Sequence, residues 1–486
     1  MKKKIIGLAH GVFDVLHSGH LIHFEECKKY CDKLIVSITD DKFVNKGPDR
    51  PFFNSNERER MLKSIKFVDK VIINNDFTPI NLIKKIKPDY YFKGKDYSNF
   101  SEDFTGNIIS EKKAVEENGG KLLITDTKIK SSSSIINNNL NSLSKELKKV
   151  LSSINKVSVI NFFKNSMNFK SKKKILVFGE AIIDKYTYVE TLGKSQKNQI
   201  ISTKYRSKQI YGGGTILVSQ LLNKFFDRVD YLCVSNSFNN QFYKKFLNKK
   251  TKKISIIEKN SKLTIKNRFV NYYRGERLFQ INENDDQCLS KNGETKLITL
   301  FKKIIRKYDK IVLFDFGHGL ISKGILEFIN KNKNKFYINC QSNSSNFGFN
   351  MAKKYNGGDT ICVDEMEFRL CVGDKFTSIN HLIDKNIKFI NKFNNFIITM
   401  GKQGCYYVSN KKKYYIPVVY KFARDTTGAG DIFFSTLISL STISKLGIKE
   451  KTLLSHIAAG IHFAENSNFD DININVIKKI YFNLIK

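Results

Sequence analysis

Tryptophan is absent from this 486-residue chain, proline occurs five times, and no apolar run approaches the roughly 18 residues that cross a bilayer. The missing run excludes a membrane-spanning helix, and the scarcity of proline excludes a stiff polyproline linker. Acidic side chains are also few: 46 Asp and Glu stand against 83 Lys and Arg, a net charge of +37. Such a balance raises nucleic acid or an anionic membrane as a partner. The lysines, however, are spread along the whole chain among Asn and Ile, as in LNKKTKK and NKNKNKF. No arginine stripe and no helix-turn-helix or RNA-binding signature accompanies them. The excess is compositional, and its expected role is to attract phosphorylated small molecules; neither dedicated nucleic-acid binding nor membrane insertion is expected. The eight cysteines include no second pair to follow Cys27 and Cys31 at metal-site spacing, so free thiols are expected. The opening MKKKIIGLAHGVFD runs into a His- and Asp-bearing motif instead of a signal-peptide core, so a cytoplasmic location is expected.

The length suits two domains, and a 41% hydrophobic content is ample for their cores. From Lys3 to about Ile136, apolar runs (IIGLAHGVF, KLIVSIT, VDKVIIN, DYYFKG, GGKLLIT) alternate with helical stretches over 19–30, 56–65, 79–86 and 109–118. Strands separated by helices of that length predict a doubly wound α/β, Rossmann-like domain over 1–140. A Ser/Asn/Lys-rich stretch over 141–172 reads as a linker containing a helix, SLSKELKKVLSSI. A second α/β series opens at KILVFGEAIIDKY and includes the β-rich TIKNRFVNYYRGERLFQIN. Residues 173–486 are expected to form one α/β domain with a small β lid.

Two motifs carry chemistry. FDVLHSGH places His17 and His20 around Gly19 at a strand-to-helix turn, where free helix N–H groups meet a bound triphosphate. The work there is charge stabilisation at an α-phosphate, with Lys46 as a further cation and Ser131, Ser132 and Ser133 as a second phosphate-binding turn. Near the other end, RDTTGAGD brings Gly428, Ala429 and Gly430 to a helix start, with Asp431 placed to take a proton from a hydroxyl.

The first motif, followed by RPFFNSNERERMLKSIKFVDKVI, TPINLIKKIKPDYYFKGKDY and NGGKLLI, resembles the cytidylyltransferase-like nucleotidyltransferases. Within them it looks like the adenylyltransferase half of the bifunctional heptose-phosphate kinase/heptose-1-phosphate adenylyltransferases. The resemblance implies that Phe13, Asp14, His17, Gly19, His20, Lys46, Arg58 and Ser131–Ser133 meet nucleotide, with Lys93 and Asp96 near the acceptor. It leaves ATP and CTP both open as the nucleotide.

DTTGAGD resembles the second signature of the ribokinase-like (phosphofructokinase-B) carbohydrate kinases. That likeness implies ATP and Mg2+, with Asp431 as general base and Thr427, Gly428, Ala429 and Gly430 around the phosphates. TMGKQG, with Gly401 and Gly404, would hold nucleotide, and Glu365 of DEMEF would organise the metal. Asp184, Gly212, Gly213, Lys266 and Arg268 would hold a phosphate-bearing sugar. Three departures stand out: Ile216 or Ser219 where the family has asparagine, His318 in DFGHG where it has lysine, and NCQSNSSNFGFN in place of aspartate-proline-lysine. The kinase also follows the transferase here, the reverse of the familiar order. Together the likenesses imply a homodimeric enzyme of sugar phosphates and nucleotides, making a nucleotide-activated sugar such as ADP-heptose for lipopolysaccharide. The alternative is an active nucleotidyltransferase with a non-catalytic kinase-like half.

Overall fold

A computed structural model of the chain describes residues 4–44, 46, 50–94, 108–125, 143–166, 170–194, 200–259, 261, 263–283, 288–420, 428–463 and 472–485. They fall into two compact α/β units. One lies within Met1–Ile154, Val419–Ala423 and Gly460–Lys486, the other within Asn155–Val418 and Arg424–Ala459.

In the first unit the strands are β1 (Ile6–Gly11), β2 (Lys33–Thr39), β3 (Lys70–Asn74), β4 (Tyr90–Lys93) and β5 (Lys121–Ile124). They form a parallel sheet in the order β3-β2-β1-β4-β5. The helices are α1 (Ser18–Lys28), α2 (Ser55–Lys63), α3 (Ile80–Ile86) and α4 (Ile108–Glu116). Because side chains alternate across a strand, neighbouring residues feed opposite cores. Ala9, Val36 and Phe92 pack with Phe24 of α1 and Leu62 of α2. Leu8, Ile35 and Tyr91 pack with Ile83 of α3 and Val115 of α4. Apolar residues on both faces of every central strand are what a doubly wound parallel sheet requires. Helix α2 starts on a capping box, Asn54 accepting from the Glu57 N–H while the Glu57 carboxylate accepts from the Asn54 N–H.

The stretch expected to be a linker with one helix contains two, Lys145–Ser153 and Lys156–Ser166. Ser144 caps the first, which buries Leu147, Val150 and Leu151. The Asn155 side chain accepts the Ser158 N–H at 3.0 Å and restarts the chain after the extended Ile154.

The second unit is built on β6 (Ser171–Gly179), β7 (Ala181–Lys194), β8 (Ile201–Gly214), β9 (Phe226–Ser235), β10 (Lys252–Ile257), β11 (Thr264–Asn271), β12 (Arg277–Glu283), β13 (Lys310–Asp315), β14 (Phe336–Cys340), β15 (Gly358–Asp364), β16 (Phe393–Thr399), β17 (Cys405–Ser409) and β18 (Lys412–Ile416). A nine-stranded sheet runs β10-β9-β6-β13-β14-β15-β16-β17-β18, parallel as far as β16. Leu176, Phe178, Leu313, Ile338 and Phe396 of this sheet pack with Leu297 and Phe301 of the helix Lys291–Ile304. A smaller sheet, β12-β11-β7-β8, is the expected β lid. Among the described residues no helix is long and apolar enough to cross a membrane, and all eight cysteines are free thiols, seven of them buried.

The helix Ile474–Leu484 groups with the first unit, more than 300 residues away in sequence, and buries Ile477, Ile480, Tyr481 and Leu484 along one face. Tyr481 is fully buried. Tyr481→Ala should therefore cost about 3–5 kcal/mol of the first unit's stability. Hydrogen exchange of β1 and β2 amides under native conditions reads this, and unchanged protection would show that the helix does not support that unit.

Candidate functional sites

The first unit's sheet changes direction between β1 and β4, and open α/β sheets bind ligands at the carboxyl ends of strands at such a point. Beyond β1, Phe13 adopts a left-handed backbone (φ 46°), unusual for an aromatic residue, and its ring stands edge-on to His20 at 5.4 Å. Asp14 is buried and accepts the N–H groups of Phe52 (2.8 Å) and Phe53 (3.0 Å), tying the turn to the chain before α2. His17 is the N-cap of α1, its Nδ1 accepting the Gly19 N–H at 3.2 Å. The proton of the neutral ring is thereby fixed on Nε2. His17 and His20 stack with centroids 4.0 Å apart.

Burial first, then His17, Lys46 and His23, hold the His20 pKa down at about 3. Burial alone lowers that of His17. The ring atoms His17 Nε2 and His20 Nδ1 are buried and meet no hydrogen-bond partner among the described residues. Two neutral imidazoles with unmet nitrogens at a helix N-terminus suit phosphate oxygens. Lys46 is near enough to act on His20, and Lys93, at the end of β4, acts on His10 and His23. Lys93 is also paired with buried Glu111 at 2.9 Å, and the Tyr91 hydroxyl donates to the same carboxylate.

Arg58 does something other than face a ligand. Its side chain is fully buried and donates to the carbonyls of Phe53, Val12 and Thr39 and to the Asp41 carboxylate. It clamps the loops around the site, and burial leaves it no face for nucleotide. Asp96, Ser131, Ser132, Ser133 and Thr427 lie outside the described residues. Sequence reasoning passed over His10, which sits at the end of β1 with Nδ1 3.0 Å from the Ser37 hydroxyl and feels both Lys93 and Lys479 of the C-terminal helix.

In the second unit Gly428 (φ 80°) is the N-cap of the helix Ala429–Ile443. Asp431 lies in that helix's first turn, its Oδ1 accepting from Gln341 Nε2 at 2.6 Å. Burial pushes the Asp431 carboxyl up to about 6, Gln341 and Lys266 oppose the rise, and Asp184 adds to it. The lid supplies the neighbours. Lys266 on β11 is in register with Asp184 on β7, and Asp184 is ion-paired with Arg268. A side chain on Gly213 would meet the Asp184 carboxylate and displace it; Gly212 is hemmed in by Ile216 and Phe246. Asp184, Lys266, Arg268, Gly213 and Asp431 are thus brought together.

Gly401 and Gly404 form the turn from β16 into β17, both at positive φ. Glu365 is bound by Arg369 (Nε at 2.9 Å, a second nitrogen at 2.8 Å). Two residues on, Glu367 is buried, accepts the Ser342 and Asp364 N–H groups, and feels the Asp431 carboxylate. Burial and Asp364 push its carboxyl up to about 8. The Asp364-x-x-Glu367 spacing is a capping box, a signal available in the sequence. Among the described residues no three His, Cys, Asp or Glu side chains form a metal centre.

The substituted positions have structural roles. Ile216 and Ser219 are fully buried in the helix Thr215–Leu222, and the Ser219 hydroxyl donates to the Ile216 carbonyl. In the DFGHG loop, buried Glu180 accepts the N–H groups of Phe316 (3.0 Å) and His318 (3.2 Å).

Known proteins match both units. The sequence model of the pfkB family of carbohydrate kinases matches residues 172–442, and that described as cytidylyltransferase-like matches 8–139. The bifunctional protein HldE of Campylobacter fetus is 41% identical over 97 residues, 20% of this chain and 21% of that protein. HldE of Aliarcobacter butzleri is 41% identical over 122 residues, 24% and 25% respectively. The chain therefore spans about a quarter or less of the curated relatives it matches, over the cytidylyltransferase region. Among solved structures, Escherichia coli phosphofructokinase-2 in complex with fructose-6-phosphate aligns with TM-score 0.52 at 12% identity, over 65% of this chain and 100% of that one, a likeness of fold. A match over more than half the chain, on a unit of that fold, makes this protein a member of the pfkB carbohydrate kinase family, with a cytidylyltransferase-like domain ahead of the kinase domain.

Proposed function

We propose that the chain is a bifunctional enzyme that phosphorylates a heptose 7-phosphate-like sugar with ATP and transfers a nucleotidyl group, AMP by preference over CMP, to a sugar 1-phosphate. The product would be an ADP-heptose-type sugar for lipopolysaccharide or another surface polysaccharide, made in the cytoplasm by a homodimer. One observation carries this reading: Asp431 stands among Lys266, Asp184 and Arg268 at the start of a glycine-led helix, in a chain that also holds His17 and His20 at the start of α1.

In the kinase half, an acceptor hydroxyl gives its proton to Asp431 and its oxygen attacks the γ-phosphorus of ATP; ADP leaves. The N–H groups at Gly428–Gly430 face the transferred phosphoryl, and Lys266 and Arg268 suit a substrate already bearing phosphate. Mg2+ bound with ATP would offset charge on the phosphates beside Asp431. In the transferase half, a sugar phosphate oxygen attacks the α-phosphorus and pyrophosphate leaves. The Nε2–H of His17, the His20 ring, the α1 N–H groups and Lys46 meet the charge that develops.

The second reading, a non-catalytic kinase-like half, draws on buried Ile216 and Ser219 where the family has asparagine. Incubating the full chain with heptose phosphates, ATP and CTP and identifying products by mass separates the two. A doubly phosphorylated sugar is expected, and its absence with every acceptor leaves the transferase alone.

Replacing His20 by alanine should slow pyrophosphate release by about 10²-fold or more while ADP formation continues. Wild-type pyrophosphate release by that variant would remove His20 from the site. Asp431→Asn keeps the helix start but loses the proton acceptor, so ADP formation should fall by about 10²- to 10⁴-fold with little change in ATP affinity. The raised carboxyl predicts an acid limb in the wild-type kinase profile: activity falls as pH drops through about 6 and Asp431 takes up a proton. A rate flat down to pH 5 would contradict this.

A further inference from the structure

We infer that Gln341 is the positioning residue of Asp431: its amide holds Oδ1 and leaves Oδ2 to take the acceptor's proton. The inference rests on Asp431 as the kinase base. Gln341 directly follows β14 and is pinned through its backbone. Its N–H donates to the Asp315 carbonyl at 2.9 Å, and its carbonyl accepts from Asn350 Nδ2 at 2.8 Å. Its side-chain nitrogen spends both hydrogens, one on Asn339 Oδ1 and one on Asp431 Oδ1, each at 2.6 Å. Two acceptor oxygens on that nitrogen fix which end of the amide is which, since a flipped amide would set oxygen against oxygen. Asn339 itself is buried within β14. A rigid chain therefore runs from the central sheet to one oxygen of the carboxylate.

A charge-assisted hydrogen bond from a preorganised donor has two effects. It fixes the rotation of the carboxylate, so that one oxygen is committed and the other is presented. It also favours the ionised form, against the burial that disfavours it. The other groups acting on Asp431 come from two lid strands: Lys266 on β11 favours its charge and Asp184 on β7 opposes it, while Glu367, in the helix Glu365–Val372, is itself raised by Asp431. Lys266 can be neutralised by an incoming phosphate. Gln341 cannot, so its contribution persists in the substrate complex. The same residue lies in the segment NCQSNSSNFGFN that departs from the family pattern. The departure installs a donor where the base needs one.

The test uses full-length protein labelled with 13C at aspartate carboxyl carbons, the Asp431 resonance being the one lost in Asp431→Asn. Its titration midpoint is expected at about 6 in the wild type. In Gln341→Leu it should rise by on the order of one to two pH units. Gln341→Glu, which keeps the shape but replaces the donor with an acceptor, should raise it as well and serves if the leucine variant does not fold. The acid limb of kcat/KM for heptose 7-phosphate with ATP should move by the same amount, with KM for ATP unchanged. An unmoved midpoint in the folded variants overturns the inference whatever the activity. A moved midpoint in a protein that phosphorylates nothing overturns the kinase reading and, with it, the catalytic role of Gln341.

Discussion

In the proposed kinase, Asp431 must be ionised where burial would neutralise it, and its polar neighbours bear on that conflict. Asp431 sits in the first turn of a helix, where the backbone N–H groups favour negative charge. Burial still lifts its carboxyl to about 6, with Asp184 adding to the rise. Gln341 and Lys266 pull the other way, and Arg268 neutralises Asp184. None of these partners is near Asp431 in sequence. The lid strands bring Asp184, Lys266 and Arg268, and the end of β14 brings Gln341. The two sheets are what place three segments of the chain around one oxygen pair.

The first unit solves the reverse problem. The proposed triphosphate site could be built from charged imidazoles, yet burial keeps both His17 and His20 neutral. Neutral rings donate and accept without the cost of burying a cation. The positive charge comes instead from lysines at the margin and from the N-terminus of α1. Arg58 shows how the loops hold still: its guanidinium bonds three carbonyls and a carboxylate from four separate positions in the chain. A buried arginine with four of its five N–H groups committed acts through the loops it fixes.

Much of this was legible from residue patterns. Short apolar runs separated by helical stretches indicated the doubly wound sheet, because each central strand is buried on both faces. The HSGH and GAGD motifs pointed to two helix starts, which the structure has at Ser18 and Ala429. What periodicity does not report is which partner a polar side chain chooses. Glu365 and Glu367 look equivalent in DEMEF, but the helix phase turns Glu365 to Arg369 and buries Glu367 toward Asp431. Arg58 looks like a phosphate ligand until burial is known. Gln341 was visible only as a mismatch, and the grouping of the C-terminal helix with the N-terminal sheet is a tertiary fact with no local signal.

The central claim is that one chain carries two working nucleotide sites of different chemistry. A crystal structure of the full-length protein with Mg2+ and a non-hydrolysable ATP analogue tests it most directly. The account predicts two nucleotides. One should have its phosphates against His17 Nε2, His20 Nδ1 and the first N–H groups of α1, the other its terminal phosphate at Gly428–Gly430 beside Asp431. A single nucleotide at either place, at saturating analogue, would contradict it.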